Sequence, residues 1–278
     1  MDVKELLERY QKGERNFQNI SFEGEFPGPV ELSGANFKDS DFSAVSLIQG
    51  SLVRANLKGA NLINTIIKGD LTEINLINAE LIGANLTGSN LMDASLRAAN
   101  LSQCKLTHAN LACALLHESI LKEANLSYAQ MSNCLLSRAN LSGANLEGAS
   151  LKRANLTNAI LMNSNLERAD LSFAQLNGVN ALGAKAPKAN FSHGNLSGGN
   201  FSQMILREAI LTDVTLTWAS LIGTDLSGAD LSGAKLCWSN FTRANLKQAK
   251  LLCANIDEAN FDLANLEATI MPFSSVDG

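Results

Sequence analysis

Three histidines, five cysteines and 27 carboxylates are the side chains from which this chain would have to assemble a reactive centre. A metal site needs imidazoles, thiolates or carboxylates converging at short spacings, as in CxxC or paired histidines. His108, His117 and His193 make no such pair, and Cys104, Cys113, Cys134, Cys237 and Cys253 make no CxxC. There is no phosphate-cradling loop, dinucleotide fingerprint or nucleophile elbow. No catalytic residue, cofactor or metal is therefore expected. The chemistry that remains is recognition. Trp218 and Trp238, the only two tryptophans, stand twenty residues apart, and exposed tryptophan is enriched where proteins meet partners.

Twenty is four times five, and five is the period of nearly the whole chain. Of the 41 slots from Leu71 to Met271, 39 hold Leu, Phe, Ile or Met; the exceptions are Ala181 and Ala186. Two residues before each slot comes a small side chain and between them a polar one, as in Ala139-Asn140-Leu141-Ser142-Gly143. A repeat of this kind outranks local propensity. A period of five fits neither the helix nor the strand. In an extended segment Ala139 and Leu141 share one face. Leu141 and Ala144 are three apart, so the chain must turn near the Ser and Gly positions. Right-angle turns close a square after four repeats, and coils can then bond at the strand spacing of ~4.8 Å. Roughly twelve coils give a rod of about 58 Å at that spacing. The predicted fold is an all-β solenoid with a filled core.

The A(N/D)LXX pattern resembles the pentapeptide-repeat family over almost the whole chain. That resemblance implies a right-handed quadrilateral β-helix. The opening Glu5-Leu6-Leu7-Glu8-Arg9-Tyr10-Gln11-Lys12-Gly13-Glu14-Arg15-Asn16-Phe17 and the ending Ala268-Thr269-Ile270-Met271-Pro272 are similar to cyanobacterial members, including a regulator of heterocyst differentiation.

Three parts are expected: an N-terminal capping helix in 1–16, the β-helix in 17–271 and a tail in 272–278. Asp2 is a plausible N-cap with Glu5 completing a capping box, and Val3, Leu6, Leu7 and Tyr10 fall on one face. Such a helix would cover the open end of the coil. Pro27 takes a slot due for Leu, so residues 22–31 are expected to distort the first coil. Ile67 to Leu71 is four residues instead of five, a shortening that a turn can absorb. The largest irregularity is Ala181–Lys188. Either Phe201, twenty residues after Ala181, and Met204, twenty after Ala184 and beside the Ala186 gap, fill what the two alanines vacate, or the segment bulges outward with Pro187 at its tip. A ligand pocket there is disfavoured because native voids are usually filled.

The formal net charge is −5 and charged residues are 18%, which does not suit nucleic-acid binding. No apolar run approaches the ~20 residues that span a bilayer, and Met1-Asp2-Val3-Lys4-Glu5 does not read as a signal peptide. A cytoplasmic protein is expected, without direct nucleic-acid or membrane contact. Asn-x-Ser/Thr triplets such as Asn155-Leu156-Thr157 arise from the repeat itself and carry no meaning as glycosylation sites. Cys104 and Cys134 fall in the small inward slot, while Cys113, Cys237 and Cys253 lie outward.

What remains is the outer surface. Trp218 and Trp238 should stack on adjacent coils, with Gly178 and Gly198 beside them and Arg243 on the next wall. They serve as a ladder pair, as a partner-binding site, or as both. The leading reading is a non-catalytic protein-interaction scaffold, regulatory in a cyanobacterium by resemblance, acting on another protein as a monomer or end-to-end dimer. One alternative is DNA mimicry directed at a type II topoisomerase, as in some family members. A duplex presents one charge per ~1.7 Å, and here the carboxylate columns Glu147–Glu167 and Glu73–Asp93 are broken by Lys152, Arg153, Arg168 and Arg207. The second alternative is a purely structural spacer.

Overall fold

The computed structural model describes residues 1–23, 26 and 28–272. The chain forms two compact units, Met1–Ala144 and Asn145–Gly278, and one hydrogen-bonding rule builds both. The repeat Asp170–Ala174 shows it. Asp170 N–H donates back to Ala149 O (2.9 Å), while Leu171 and Phe173 donate forward to Asn190 O (2.7 Å) and Ser192 O (2.9 Å). Ala174 N–H closes the corner on Leu171 O at 3.0 Å. The remaining donor, Ser172 N–H, goes to the carboxylate of Asp170 at 2.9 Å. All five backbone donors are thus satisfied, as a backbone this close to the core requires. Asn or Asp precedes the core residue because its side-chain oxygen caps the turn, an Asx motif. The same amides also bond from coil to coil: Asn36 to Asn16 at 2.9 Å, Asn56 to Asn36 at 3.0 Å and, in the other unit, Asn165 to Asn145 at 3.1 Å.

Each corner places its third residue at positive φ, 61° at Phe173 and 67° at Gly143, the mark of a type II turn. Coils pair in parallel between residues twenty apart, such as Asn180 and Asn200. Leucine and the small residue face inward and are buried throughout most of both units. Where Ser or Thr takes the small slot, its hydroxyl donates to a carbonyl: Ser40 to Phe17 O, Ser89 to Ile67 O and Thr224 to Phe201 O, each at 2.8 Å. Among the described residues no buried side-chain polar atom lacks a partner.

In the Met1–Ala144 unit, helix α1 (Val3–Gln11) buries Val3 and Leu6. The Tyr10 hydroxyl ties it down by donating to Ser33 O at 2.8 Å. Its cap differs from expectation. Asp2 accepts from Lys4 N–H at 3.4 Å, and Glu5 turns to Arg9 at 3.3 Å instead of completing a capping box. Behind the helix, Phe17, Phe22, Phe37 and Phe42 stack and cross at centroid distances of 4.4–5.6 Å, plugging the core. Phe26 is buried and its N–H donates to Ser46 O at 3.2 Å, so the coil rule already reaches it; Pro27 lies outside the described residues.

The short repeat is not absorbed by a tightened turn. The chain instead runs extended as β1 (Ser46–Ser51) and β2 (Ile66–Asp70), paired in parallel with a register shift between Ile48 and Gly50. Gln49 is the extra residue, a β-bulge. Ile67 and Leu71 both remain buried. A cavity of about 10 Å³ remains between Phe42, Val45, Leu52 and Ile67.

In the Asn145–Gly278 unit, Ala181–Lys188 does not bulge. Lys185 and Lys188 N–H donate to Ser164 O and Arg207 O, both at 2.9 Å, and Ala181, Ala184 and Ala186 are buried. Pro187 occupies the second position of a corner, where proline is favoured, and its carbonyl accepts from Arg168 at 3.0 Å. Phe201 and Met204 are each 1% exposed. The Phe201 ring lies in the space where a Cβ on Gly199 would sit. Residues 273–278 of the expected tail lie outside the described residues.

Candidate functional site

Every corner offers one side chain to solvent, and residues twenty apart on one corner form a column. Trp218 and Trp238 are consecutive on such a column, with φ of 61° and 62°. Bulky residues pay roughly 1–2 kcal/mol for this left-handed conformation. Their rings stack 5.1 Å apart and 7° from parallel, yet they remain 67% and 50% exposed. Gly178 and Gly198 precede them on the column. The Asn158 amide oxygen leans over Gly178, but nothing lies within 4 Å of where a Cβ on Gly198 would be. Beside the column Thr157 donates to Asn177 at 3.1 Å, Thr217 to Ser197 at 3.0 Å and Ser197 to Asn195 at 2.8 Å. Among the described residues neither indole N–H has a partner. Arg243 stands one corner further on at φ 59°. Its guanidinium has no contact with either ring among the described residues, so the two indoles come together and Arg243 stands apart.

Other columns carry the histidines. His108 stacks on Tyr128 at 5.3 Å. Arg153, Phe173, His193 and Asp213 form a run, with Arg153 5.7 Å from the Phe173 ring, the two rings 4.7 Å apart and His193 3.6 Å from Asp213. His117 Nδ1 lies 2.5 Å from Ser137 Oγ. That pair was legible in the twenty-residue offset but escapes a search restricted to metal and triad spacings. No carboxylate bonds the other ring nitrogen of His117 among the described residues, so the orienting member of a triad is missing.

All five cysteines are free, with Cys104 and Cys134 buried, Cys113 and Cys253 exposed, and Cys237 half-buried. Burial pushes the Cys104 thiol up to about 12 despite a backbone hydrogen bond, and raises Cys134 as well. Neither is a ready thiolate at neutral pH. Among the described residues no cluster of His, Cys, Asp and Glu is arranged to hold a metal, and no helix is long and apolar enough to cross a membrane.

Some of the carboxylates are paired with the chain's own cations. Glu73 meets Arg54 at 2.9 Å, Glu118 meets Arg138 at 3.5 Å, Glu167 meets Arg168 at 3.0 Å and Glu267 meets Lys247 at 2.8 Å. Asp225 is held below the ordinary aspartate range: partial burial raises it, but hydrogen bonds from Arg207 and Ser227 outweigh that.

The profile described as Pentapeptide repeats matches in eight copies, over residues 40–69, 70–107, 99–138, 129–168, 164–203, 189–228, 206–236 and 229–267. Among solved structures, the chain is 30% identical to HetL, a pentapeptide-repeat protein involved in heterocyst differentiation regulation from the cyanobacterium Nostoc sp. strain PCC 7120, over 100% of both chains with a TM-score of 0.36. It is 25% identical to QnrB1, a plasmid-mediated fluoroquinolone resistance protein, over 70% of this chain and 92% of that one with a TM-score of 0.45. It is 27% identical to Rfr23 from the cyanobacterium Cyanothece 51142, over 49% of this chain and 63% of that one with a TM-score of 0.18. No curated protein matches.

Proposed function

The chain belongs to the pentapeptide-repeat family and has its right-handed quadrilateral β-helix, and from that premise we infer that it is a non-catalytic scaffold that binds another protein through the Trp218–Trp238 wall. The observation that carries this reading is the stacked, half-wet indole pair. Two large aromatic side chains are kept in a strained backbone conformation and still left 67% and 50% exposed. Aromatic anchors of this kind dominate binding energy at interfaces. A core filled by leucine leaves the outer walls as the place to act, and repeat solenoids offer such extended surfaces. Arg243, one corner on, belongs to the proposed surface as a peripheral donor. A regulatory role in a cyanobacterium and a cytoplasmic setting are part of the proposal. The similar chain ends motivate the first, and five free thiols the second.

The test is affinity capture from lysate of the native cell, with wild type beside the Trp218→Ala/Trp238→Ala variant. Loss of both anchors should weaken the captured partner by ~2–4 kcal/mol, whereas the fold should lose only ~0.5–1.5 kcal/mol beyond area burial. A variant that melts early yet retains every partner would make the pair a structural ladder and leave the spacer reading in place.

A further inference from the structure

On another wall of the Asn145–Gly278 unit a cavity of about 480 Å³ opens over Pro187 and Ile205, with Lys185, Arg207, Glu167, Asn163 and Asn165 around it. Departures from the repeat give it its chemistry. In the coils on either side, the residue before the core leucine is Asn165 or Asp225. Its side-chain oxygen takes the turn N–H of Glu167 or Ser227, each at 3.1 Å. Lys185 and Ile205 hold that position in between. Pro187 has no N–H to satisfy. Arg207 has one, and Ile205 offers it no oxygen, so that N–H has no partner among the described residues. The Lys185 ammonium meets no carboxylate among them either. Arg207 gives its Nε to Asp225, which leaves its two Nη groups. The Asn165 amide accepts from Glu167 N–H and donates to Asn145 at 3.1 Å. The Asn163 side chain leans its oxygen over Gly183, and its NH₂ group has no partner among the described residues. The acceptors are the Asn163 oxygens and Glu167, and Glu167 is already held by Arg168 at 3.0 Å.

Donors predominate here, and two of the side chains that carry them are cations. A cationic occupant would face Lys185 and Arg207, and a neutral apolar one would strip water from Lys185 with nothing in return. An inorganic dianion would leave Pro187 and Ile205 unused and would sit against Glu167. A carboxylate on a hydrocarbon body uses both parts of the cavity. Ammonium, guanidinium and backbone N–H bond the carboxylate with charge assistance, and the body covers the apolar floor. Asn163 adds a donor and an acceptor on one amide, the complement of a peptide group. We propose that the cavity captures the C-terminal carboxylate of a partner protein whose last residue is aliphatic. The carboxylate accepts from Lys185, the Arg207 N–H and the Arg207 guanidinium. The aliphatic side chain lies on Pro187 and Ile205, and the preceding peptide group pairs with Asn163. Capture of chain ends by backbone N–H groups is a recurring mode of recognition. This site does not depend on Trp218 and Trp238.

The test is a titration of the full chain, followed by amide NMR shifts, with the peptide acetyl-Gly-Ala-Leu bearing a free carboxylate. Saturable shifts around the cavity are expected, and the C-terminal amide of the same peptide should bind about tenfold more weakly or worse. Lys185→Met should weaken the free-carboxylate peptide about tenfold, the equivalent of one hydrogen bond to a charged group. Ile205→Asn restores the amide that caps the turn in the neighbouring coils. It should weaken binding about as much, because the Arg207 N–H is then taken, and should melt no earlier than wild type. Lys250→Met, on the next wall, should bind as wild type does. No saturable shift, equal binding of the peptide amide, or undiminished binding by Lys185→Met or Ile205→Asn would each overturn the proposal. So would isocaproate or inorganic phosphate binding as tightly as the peptide, since the site would then read a free acid or charge alone. The peptide amide tests the chain-end carboxylate on the unaltered protein, so a variant that fails to fold leaves the outcome decided.

Discussion

A single torsion angle separates the residues that build this fold from those free to act. Corner residues at positive φ project outward, and that position holds Trp218, Trp238, His108, His193 and Phe173. Inward positions are governed by volume instead. Phe201 is buried at 1% exposure, and its ring uses space opened by Gly199. Phe201→Ala should therefore destabilise by ~3–5 kcal/mol; a loss under about 1 kcal/mol in a denaturant melt would show that the ring fills nothing. Asp225 has a charge-dependent role. Its folded pKa lies below the ordinary value of 3.8, so its contribution is present above the unfolded pKa and is lost as pH falls through the folded one. Asp225→Asn should be less stable at neutral pH, because Arg207 loses its ion pair, and should show a shallower loss of stability in acid. Identical acid slopes for the two proteins would contradict the pairing.

At the scale of elements, the β1–β2 pair replaces a regular corner by a close backbone approach. Gly69 takes φ 158°, and a Cβ there would run into the Gly50 carbonyl. Gly69→Ala should cost about 2 kcal/mol or more, in the range of strained backbone substitutions, whereas Gly88→Ala, at an open corner, should cost less. Thermal melts of the two variants decide this, and equal losses would remove the special role of the bulge. The missing residue between Ile67 and Leu71 was plain in the sequence; its consequence was not. Deleting a residue says that the register must be recovered, but strand bulges and shortened turns both recover it, and the choice depends on which backbones can approach. Pro187 was misleading for a related reason. Proline suggests a loop tip when read alone, yet the second position of a type II turn favours it. The capping box failed because Glu5 found a better partner in Arg9, a competition that spacing does not rank.

For the whole molecule, the period of five was enough to give four walls, a leucine core and the twenty-residue columns. The same offset predicted the Trp218–Trp238 stack, and it also brings together His108 with Tyr128 and Phe173 with His193. It was silent on the depth of the gap beside Trp218 and on which hydroxyls are already committed, because these depend on rotamers. Charge at this scale bears on the DNA-mimicry alternative. The net charge is −5, and some carboxylates, such as Glu73, Glu118 and Glu267, are paired with neighbouring cations, whereas a duplex exposes one unpaired charge per ~1.7 Å. A gyrase supercoiling assay should show neither inhibition nor protection at micromolar protein; either effect would put mimicry ahead of the scaffold reading.

Pairing between residues twenty apart also sets the order in which the chain can wind. Each coil needs only its predecessor as a template, so propagation demands no distant partner. Helix α1 and the four-phenylalanine plug lie within residues 1–42, which are synthesised before the coils that follow them. At ~5–20 residues per second of synthesis, a new coil becomes available every few seconds and can add to a seed already in place. The N-terminal plug is then both a lid and a starter, and the molecule can be wound from that end while it is still being made.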